Sequence, residues 1–432
     1  MRLGKLALMA ALIGGSATLA TGQTPIYENH ESAAISQVAH CDCGEAVCGC
    51  EPIDCDTGCD SGCDSACGLG DCMDMSCLGD CCIGSMCGDC CLGDPYSLFG
   101  DCCDSGISVG GWLQAGYHSK SLPIFNDRPN ELNLHQAWLY AEKAIDTSCG
   151  FDIGGRVDYL YGIDAQNTQA FGTDPSGWDN SMDNGEYGQA FPQLYVEAGY
   201  GDLSIKAGHF YTLIGYEVVG ATGNFFYSHA YTFNYSEPFT HTGALATYNA
   251  SDDLTVYGGW VTGWDSGFDD NGDAFLGGVS AQLTCDWNVT YATTFGRFGE
   301  ARYNGVEKGY MQSIVSQYDI TDSLQWIAQS DYLDTEDGAG ADARNTYGFN
   351  NYLIKEINDC WGIGSRFEWW STRTGTGPRS NIYALTVGAN YKPHANVVVR
   401  PEIRWDWDDD GLIGLEDGTD QTTFGIDSIL TF

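Results

Sequence analysis

The sequence predicts an all-β chain: a transmembrane up-and-down antiparallel β-barrel of about 16 strands, preceded by a cysteine-rich irregular segment. Three observations carry that expectation. Residues from 106 onward alternate apolar and polar with a period of two. Short turns and long polar loops alternate along the same region. The N-terminus reads as an export signal, and the last residue is an aromatic, Phe432.

The elements follow in chain order. Arg2 and Lys5 form a short basic stretch, residues 6–13 an apolar one, and Ala20-Thr21-Gly22 a small-residue cleavage site. That pattern fits a signal peptide over 1–22, and its apolar run is too short to cross a bilayer as a helix. No later stretch of about 18 apolar residues exists, so an exported chain of this kind is secreted, periplasmic or an outer-membrane barrel.

Residues 23–105 form the second segment. Of 20 cysteines in the chain, 17 lie between Cys41 and Cys103, among Gly, Asp and Ser and with no Lys or Arg. Such a composition cannot bury an apolar core, so covalent or metal staples must order it if it is ordered. An exported location favours disulfides; cross-links to neighbouring chains and thiolate–metal binding stay open.

Strands are expected near 106–118, 132–144, 150–161, 189–200, 203–210, 241–249, 254–264, 273–284, 286–297, 308–319, 323–334, 343–357, 361–371, 380–392, 396–407 and 421–432. The clearest is the run Val397, Val399, Pro401, Ile403 and Trp405 on one face against Val398, Arg400, Glu402, Arg404 and Asp406 on the other. Lengths near ten residues suit a tilted membrane strand. Short connections fall around Asp146-Thr147-Ser148, Gly201-Asp202, Ser251-Asp252-Asp253, Cys285-Asp286, Thr321-Asp322, Asn358-Asp359 and Pro393-His394. Longer ones lie near 119–131, 162–188, 211–240, 265–272, 298–307, 335–342, 372–379 and 408–420. Two unlike ends are what an outer-membrane barrel shows, with turns inside the periplasm and loops outside.

At the C-terminus Phe424, Ile426, Leu430 and Phe432 share a face, interrupted by Ser428. This row matches the signal by which barrel assembly machinery takes up its clients. The stretches Gly208-His209-Phe210, Gly215-Tyr216-Glu217, Asn224-Phe225-Phe226-Tyr227-Ser228 and Glu237-Pro238-Phe239-Thr240-His241-Thr242-Gly243 then resemble the OmpL-like beta-barrel porin family. The resemblance covers about residues 106–432 and includes Gly425-Ile426-Asp427 and Phe432. It implies an outer-membrane diffusion pore and says little about the solute.

Parity places Arg156, Asp158, Lys206, Arg366, Glu368, Arg400, Glu402 and Arg404 on the inner face. There they would line water and tune selectivity, brace the wall across strands, or both. The third long loop, about 211–240, carries Glu217, Glu237, Phe225, Phe226 and Tyr227 but no Lys or Arg. So aromatic a loop must pack: by analogy with general porins it folds into the lumen as a constriction, and otherwise it covers the rim or a subunit interface. Asp406, Asp408, Asp410 and Asp417, with Gly411, have the spacing of a twelve-residue calcium loop, though two strands flank it. A plain solvated acidic loop is the alternative. Cys149, Cys285 and Cys360 all fall at expected short turns, where they could tether the N-terminal segment to the rim or bond to neighbours.

Composition narrows the function. With 59 acidic against 18 basic residues, a net charge of -41 excludes nucleic acid as a partner. No nucleophile elbow, phosphate loop or zinc-helix motif is present, so no enzyme is expected. The expected activity is passive diffusion of ions and small hydrophilic solutes through an outer-membrane pore, with membrane lipid around it and a homo-trimer as one assembly. The alternative is a structural anchor whose cysteine-rich segment makes disulfide cross-links to the wall or to neighbouring chains. No resident cofactor is expected beyond the calcium reading.

Overall fold

A computed structural model describes residues 92–98, 106–122, 124–170, 178–268, 271–301 and 305–432. The expected signal peptide and the cysteine-rich segment apart from 92–98 lie outside the described residues.

Among the described residues, seventeen strands form one closed antiparallel sheet. They are β1 (Ser108–His118), β2 (Asn133–Lys143), β3 (Phe151–Gly162), β4 (Gly188–Ala190), β5 (Leu194–Tyr200), β6 (Leu203–Tyr211), β7 (Thr240–Ser251), β8 (Leu254–Val261) and β9 (Asp273–Thr284). Then follow β10 (Trp287–Ala301), β11 (Gly305–Thr321), β12 (Leu324–Asp337), β13 (Asp342–Asn358), β14 (Trp361–Thr374), β15 (Ser380–His394), β16 (Val397–Asp408) and β17 (Asp420–Thr431). β17 pairs back onto β1, with Leu113 opposite Leu430, and Phe432 exchanges two backbone hydrogen bonds of 3.0 Å with Gly111. Closure leaves no open edge, which hydrocarbon would not tolerate.

β4 and β5 both pair with β3 and make one stave, so the barrel has 16 positions around its wall. The single strand expected over 189–200 is broken at Phe191-Pro192-Gln193. Pro192 has no N–H for the ladder, and the Asp158 N–H reaches past it to the Gln193 carbonyl at 2.9 Å. Elsewhere the strands run longer than expected. β10 and β11 extend through most of the loop expected at 298–307, pairing as far as Ala301 opposite Gly305.

Alternation sets the two faces. Phe151, Ile153, Val196, Ile205, Trp260, Ile363, Ile403 and Phe424 point outward and are exposed, as a lipid-facing belt requires. Their sequence neighbours Arg156, Arg366, Glu368, Arg404 and Asp427 point inward and are buried. Among the described residues, short α-helices α1 (Ala165–Thr168) and α2 (Tyr231–Ser236) sit in the β3–β4 and β6–β7 connections. At the short-turn end, residues 92–98 dock on the β15–β16 turn. The Ala395 N–H reaches the Leu92 carbonyl at 2.9 Å, and Asn396 bonds both backbone groups of Tyr96, at 2.6 and 2.8 Å.

Candidate functional site: the loop inside the barrel

The β6–β7 connection, residues 212–239, turns into the barrel. A segment with so little helix leaves most of its backbone N–H and C=O groups without partners of their own. The inner wall supplies them. Glu402 of β16 accepts the N–H groups of Tyr227 (3.0 Å) and Ser228 (3.2 Å). Glu368 of β14 accepts those of Tyr231 (2.7 Å) and Thr232 (2.6 Å) at the start of α2, and the Thr232 hydroxyl as well. Arg400 donates to the carbonyls of Ala221 (2.9 Å) and Asn224 (2.6 Å). Arg366 and Arg404 donate to those of Ser228 (2.5 Å) and His229 (2.6 Å).

The wall charges are balanced among themselves and against the loop. Arg400 pairs with Asp427 at 2.6 Å, Arg404 with Asp406 at 2.8 Å, and Arg366 with the loop's Glu217 at 2.6 Å. Burial alone would raise the Glu217 carboxyl, but the Arg366 guanidinium and hydrogen bonds from His229 and the Ala230 N–H hold it down at about 2. Glu217 also accepts from the Tyr352 hydroxyl at 3.0 Å.

Shape complements charge. Gly364 on β14, Gly116 on β1 and Gly348 on β13 form inner-wall sockets for Phe225, Tyr227 and Thr232; a Cβ at these glycines would stand 2.6, 2.6 and 2.4 Å from those side chains. On the opposite wall the contacts are apolar. Phe210, Leu213 and Ile214 pack with Leu245, Tyr257, Leu276, Ala292, Met311 and Leu333 of β7 to β12. Between the two walls, Val219, Phe233 and Phe239 pack with Trp112, Trp138 and Leu160 of β1 to β3. Tyr227 further meets His135, whose other ring nitrogen is 2.8 Å from Asp164; the Tyr227–His135 contact is 2.5 Å.

The residues named from sequence fall as follows. Arg156, Asp158, Lys206, Arg366, Glu368, Arg400, Glu402 and Arg404 lie on the inner face, but all except Lys206 are buried. They do not line open water. Arg366, Glu368, Arg400, Glu402 and Arg404 are covered by the loop backbone, while Arg156 is bound to Asp158 at 2.7 Å and to Glu142 at 3.1 Å. Lys206 is half-buried, its ammonium 4.2 Å from the centre of the Tyr195 ring. Glu217, Phe225, Phe226, Tyr227 and Glu237 are all buried inside the barrel, not over its rim.

The four carboxylates of the calcium spacing do not converge. Asp406 turns inward to Arg404 and to the Tyr231 hydroxyl (2.7 Å), Asp408 accepts the Ile413 N–H (2.6 Å), and Asp417 meets Lys120 (2.7 Å), leaving Asp410 exposed. The reason is that Asp406 belongs to a strand whose parity sends it into the barrel, so the spacing was read across two unlike faces. Cys149 is exposed, Cys285 half-buried and Cys360 buried, and all three stand at turns of the end where 92–98 docks. The socket glycines and the wall-to-backbone bonds had no signal in the sequence beyond glycine at inward parity.

The family described as "Putative beta-barrel porin-2, OmpL-like" matches residues 106–432, and the chain belongs to it. It is therefore an outer-membrane porin-type channel protein, with the barrel in the bacterial outer membrane. Among solved structures it is similar to an anion-selective porin from Comamonas acidovorans (TM-score 0.55, 11% identity, covering 76% of this chain and 99% of that one). It is also similar to Salmonella typhi OmpF in complex with daunomycin (TM-score 0.53, 14% identity, 76% and 97%) and to a loop L8 deletion mutant of Vibrio cholerae OmpT (0.52, 14%, 76% and 99%). At these identities the likeness is one of fold. No curated protein matches the sequence.

Proposed function

We propose that the protein lets ions and small hydrophilic solutes diffuse passively across the outer membrane, through a barrel whose bore the 212–239 loop sets. The observation that carries this reading is the loop's attachment: wall carboxylates and guanidiniums from β14 and β16 hold its backbone inside the barrel. Such a loop restricts what passes, and its position decides the size limit. The reading assigns the protein no catalytic chemistry. The test is the conductance of the purified full-length protein in planar bilayers. Discrete steps with a solute size limit support it; silence from a correctly folded barrel, with the loop intact or excised, refutes it.

Assembly as a homo-trimer is proposed with it. A structure of Vibrio cholerae OmpT with the same fold is described as a trimer (TM-score 0.50, 12% identity). Here Gly258 of β8 stands opposite both Ala246 and Gly277, a local patch of small outward residues beside the exposed Tyr248 and Trp260 against which a second barrel can rest. Chemical cross-linking in the membrane checks it, and a pattern with monomer alone counts against it.

A second reading has its own observation. Residues 92–98, part of the cysteine-rich segment, are bonded to the β15–β16 turn, at the rim that carries Cys149, Cys285 and Cys360. We propose that this segment is joined to the rim through disulfides at these cysteines. Mass-spectrometric mapping of the unreduced protein that found all three as thiols would end that proposal.

A further inference from the structure

One attachment of the loop differs in kind from the rest, because it joins two acids. Glu237, at the end of the loop, and Asp331 of β12 are both buried with one amide between them, and Glu237 Oε2 and Asp331 Oδ1 have no hydrogen-bond partner. Two carboxylates buried side by side repel each other, and a proton on one of them removes that repulsion. Gln329, two residues before Asp331 on the same inner face, spans the pair. Its amide nitrogen donates to Glu237 Oε1 at 2.6 Å and to Asp331 Oδ2 at 2.8 Å. Its amide oxygen accepts the N–H of Tyr216, at the start of the loop, at 3.2 Å. Gly215, at φ +92°, lies so close that a Cβ there would stand 1.9 Å from the Glu237 carboxyl. Three side chains thus fasten both limbs of the loop to one strand.

We propose that Glu237, Gln329 and Asp331 form a proton-dependent clasp that positions the loop and so sets the bore. The inference rests on the porin reading above. Among the described residues, the groups that face the clasp supply no cation to it. From the loop comes the carboxylate of Glu217, from β13 the hydroxyl of Tyr352, and from β11 the hydroxyl of Ser313. The nearby cation, Arg366 of β14, is taken by Glu217 and the Ser228 carbonyl. Burial, and then the charge of Asp331, push the Glu237 carboxyl well above its ordinary 4.5.

The sign follows from which state holds the proton more tightly. The docked loop binds it better than a released loop would, so the clasp's contribution is fully present below pH 4.5 and is lost as the pH rises through the raised value. Across that window the ratio of released to docked loop rises by up to about tenfold per pH unit. Acid therefore narrows the bore and alkali widens it.

The test uses the full-length protein at a series of pH values, with two readouts: conductance in planar bilayers, and cleavage of the 212–239 loop by a protease specific for aromatic residues. In the wild type both are expected to rise together with pH. Glu237→Gln keeps a neutral donor toward Asp331 and no longer titrates, so both should stay low and flat; Asp331→Asn should behave alike. Glu336→Gln, an exposed residue of the same strand paired with Lys308, should keep the wild-type profile. Heat-modified gel mobility confirms that each variant is folded. Flat wild-type profiles, or an unchanged pH response in Glu237→Gln, overturn the clasp. Conductance that is flat together with flat cleavage leaves the channel standing without the clasp. Silence in bilayers with pH-dependent cleavage that Glu237→Gln abolishes upholds the clasp and removes the channel.

Discussion

Two stretches of the inner wall hold the same loop by different means. On β14 to β17 the contacts are ionic and directional: Glu368, Glu402, Arg366, Arg400 and Arg404 grip backbone groups of the loop. On β7 to β11 they are apolar, with Leu213 and Ile214 resting on Leu245, Leu276 and Met311, and the polar clasp on β12 marks where that stretch ends. Apolar packing tolerates sliding, whereas a hydrogen bond to a particular carbonyl does not. The charged wall therefore fixes where the loop sits, and the apolar wall fills the space behind it. Buried charges are a costly way to gain stability alone, so their use on β14 and β16 against backbone groups of the loop argues for position.

The largest effect that would break this comparison comes from Arg366. Replacing it with Met keeps the bulk but leaves Glu217 as a buried unpaired charge, at a cost of about 3–5 kcal/mol. Loss of the loop's fixed position should appear as larger and noisier conductance steps, together with a lower unfolding temperature of the barrel. Leu276→Ala, on the apolar wall, is expected to cost about 2–5 kcal/mol through the cavity it leaves. Its conductance steps should keep their size. If Leu276→Ala shifted the bore as much as Arg366→Met does, the division of labour between the walls would fall.

Much of this architecture was legible in the sequence, and the reasons are specific. The strand at 397–408 declared both faces because its outward set is apolar and its inward set charged. The split of β4 from β5 was written in Pro192, but a strand expectation built on alternation alone passes over a single missing donor. The loop's burial follows from its aromatic content, while its attachment does not: parity gives a wall side chain's direction but not whether water, a neighbouring strand or the loop backbone meets it. The calcium spacing failed for the same reason, since spacing along the chain ignores that Asp406 belongs inside and Asp417 outside. Gly116, Gly348 and Gly364 stand at inward positions of their strands, and alternation alone does not reveal that Tyr227, Thr232 and Phe225 need the room there.

A smaller effect sharpens the contrast. Glu402→Ala frees the Tyr227 and Ser228 N–H groups, which are buried, and is expected to cost about 1–3 kcal/mol in stability. Its bore should shift less than in Arg366→Met, because Arg400 and Arg404 still hold the carbonyls on either side. Equal shifts in the two variants would mean that the loop is held as one unit and not by separable contacts.

The smallest expected change belongs to Lys206, the one residue of the eight inward charges that stays half-buried. It stands on β6 opposite Glu197 of β5, over the Tyr195 ring and away from the backbone contacts of the loop. Lys206→Gln should therefore leave stability and step size near wild type. What it should move is ion preference, because removing a cation from beside Glu197 and Glu142 makes that part of the wall more acidic. The reversal potential across a salt gradient reads this directly, and a shift toward cations is expected. An unchanged reversal potential, with Arg366→Met still altering the bore, would place the ion path away from β5 and β6.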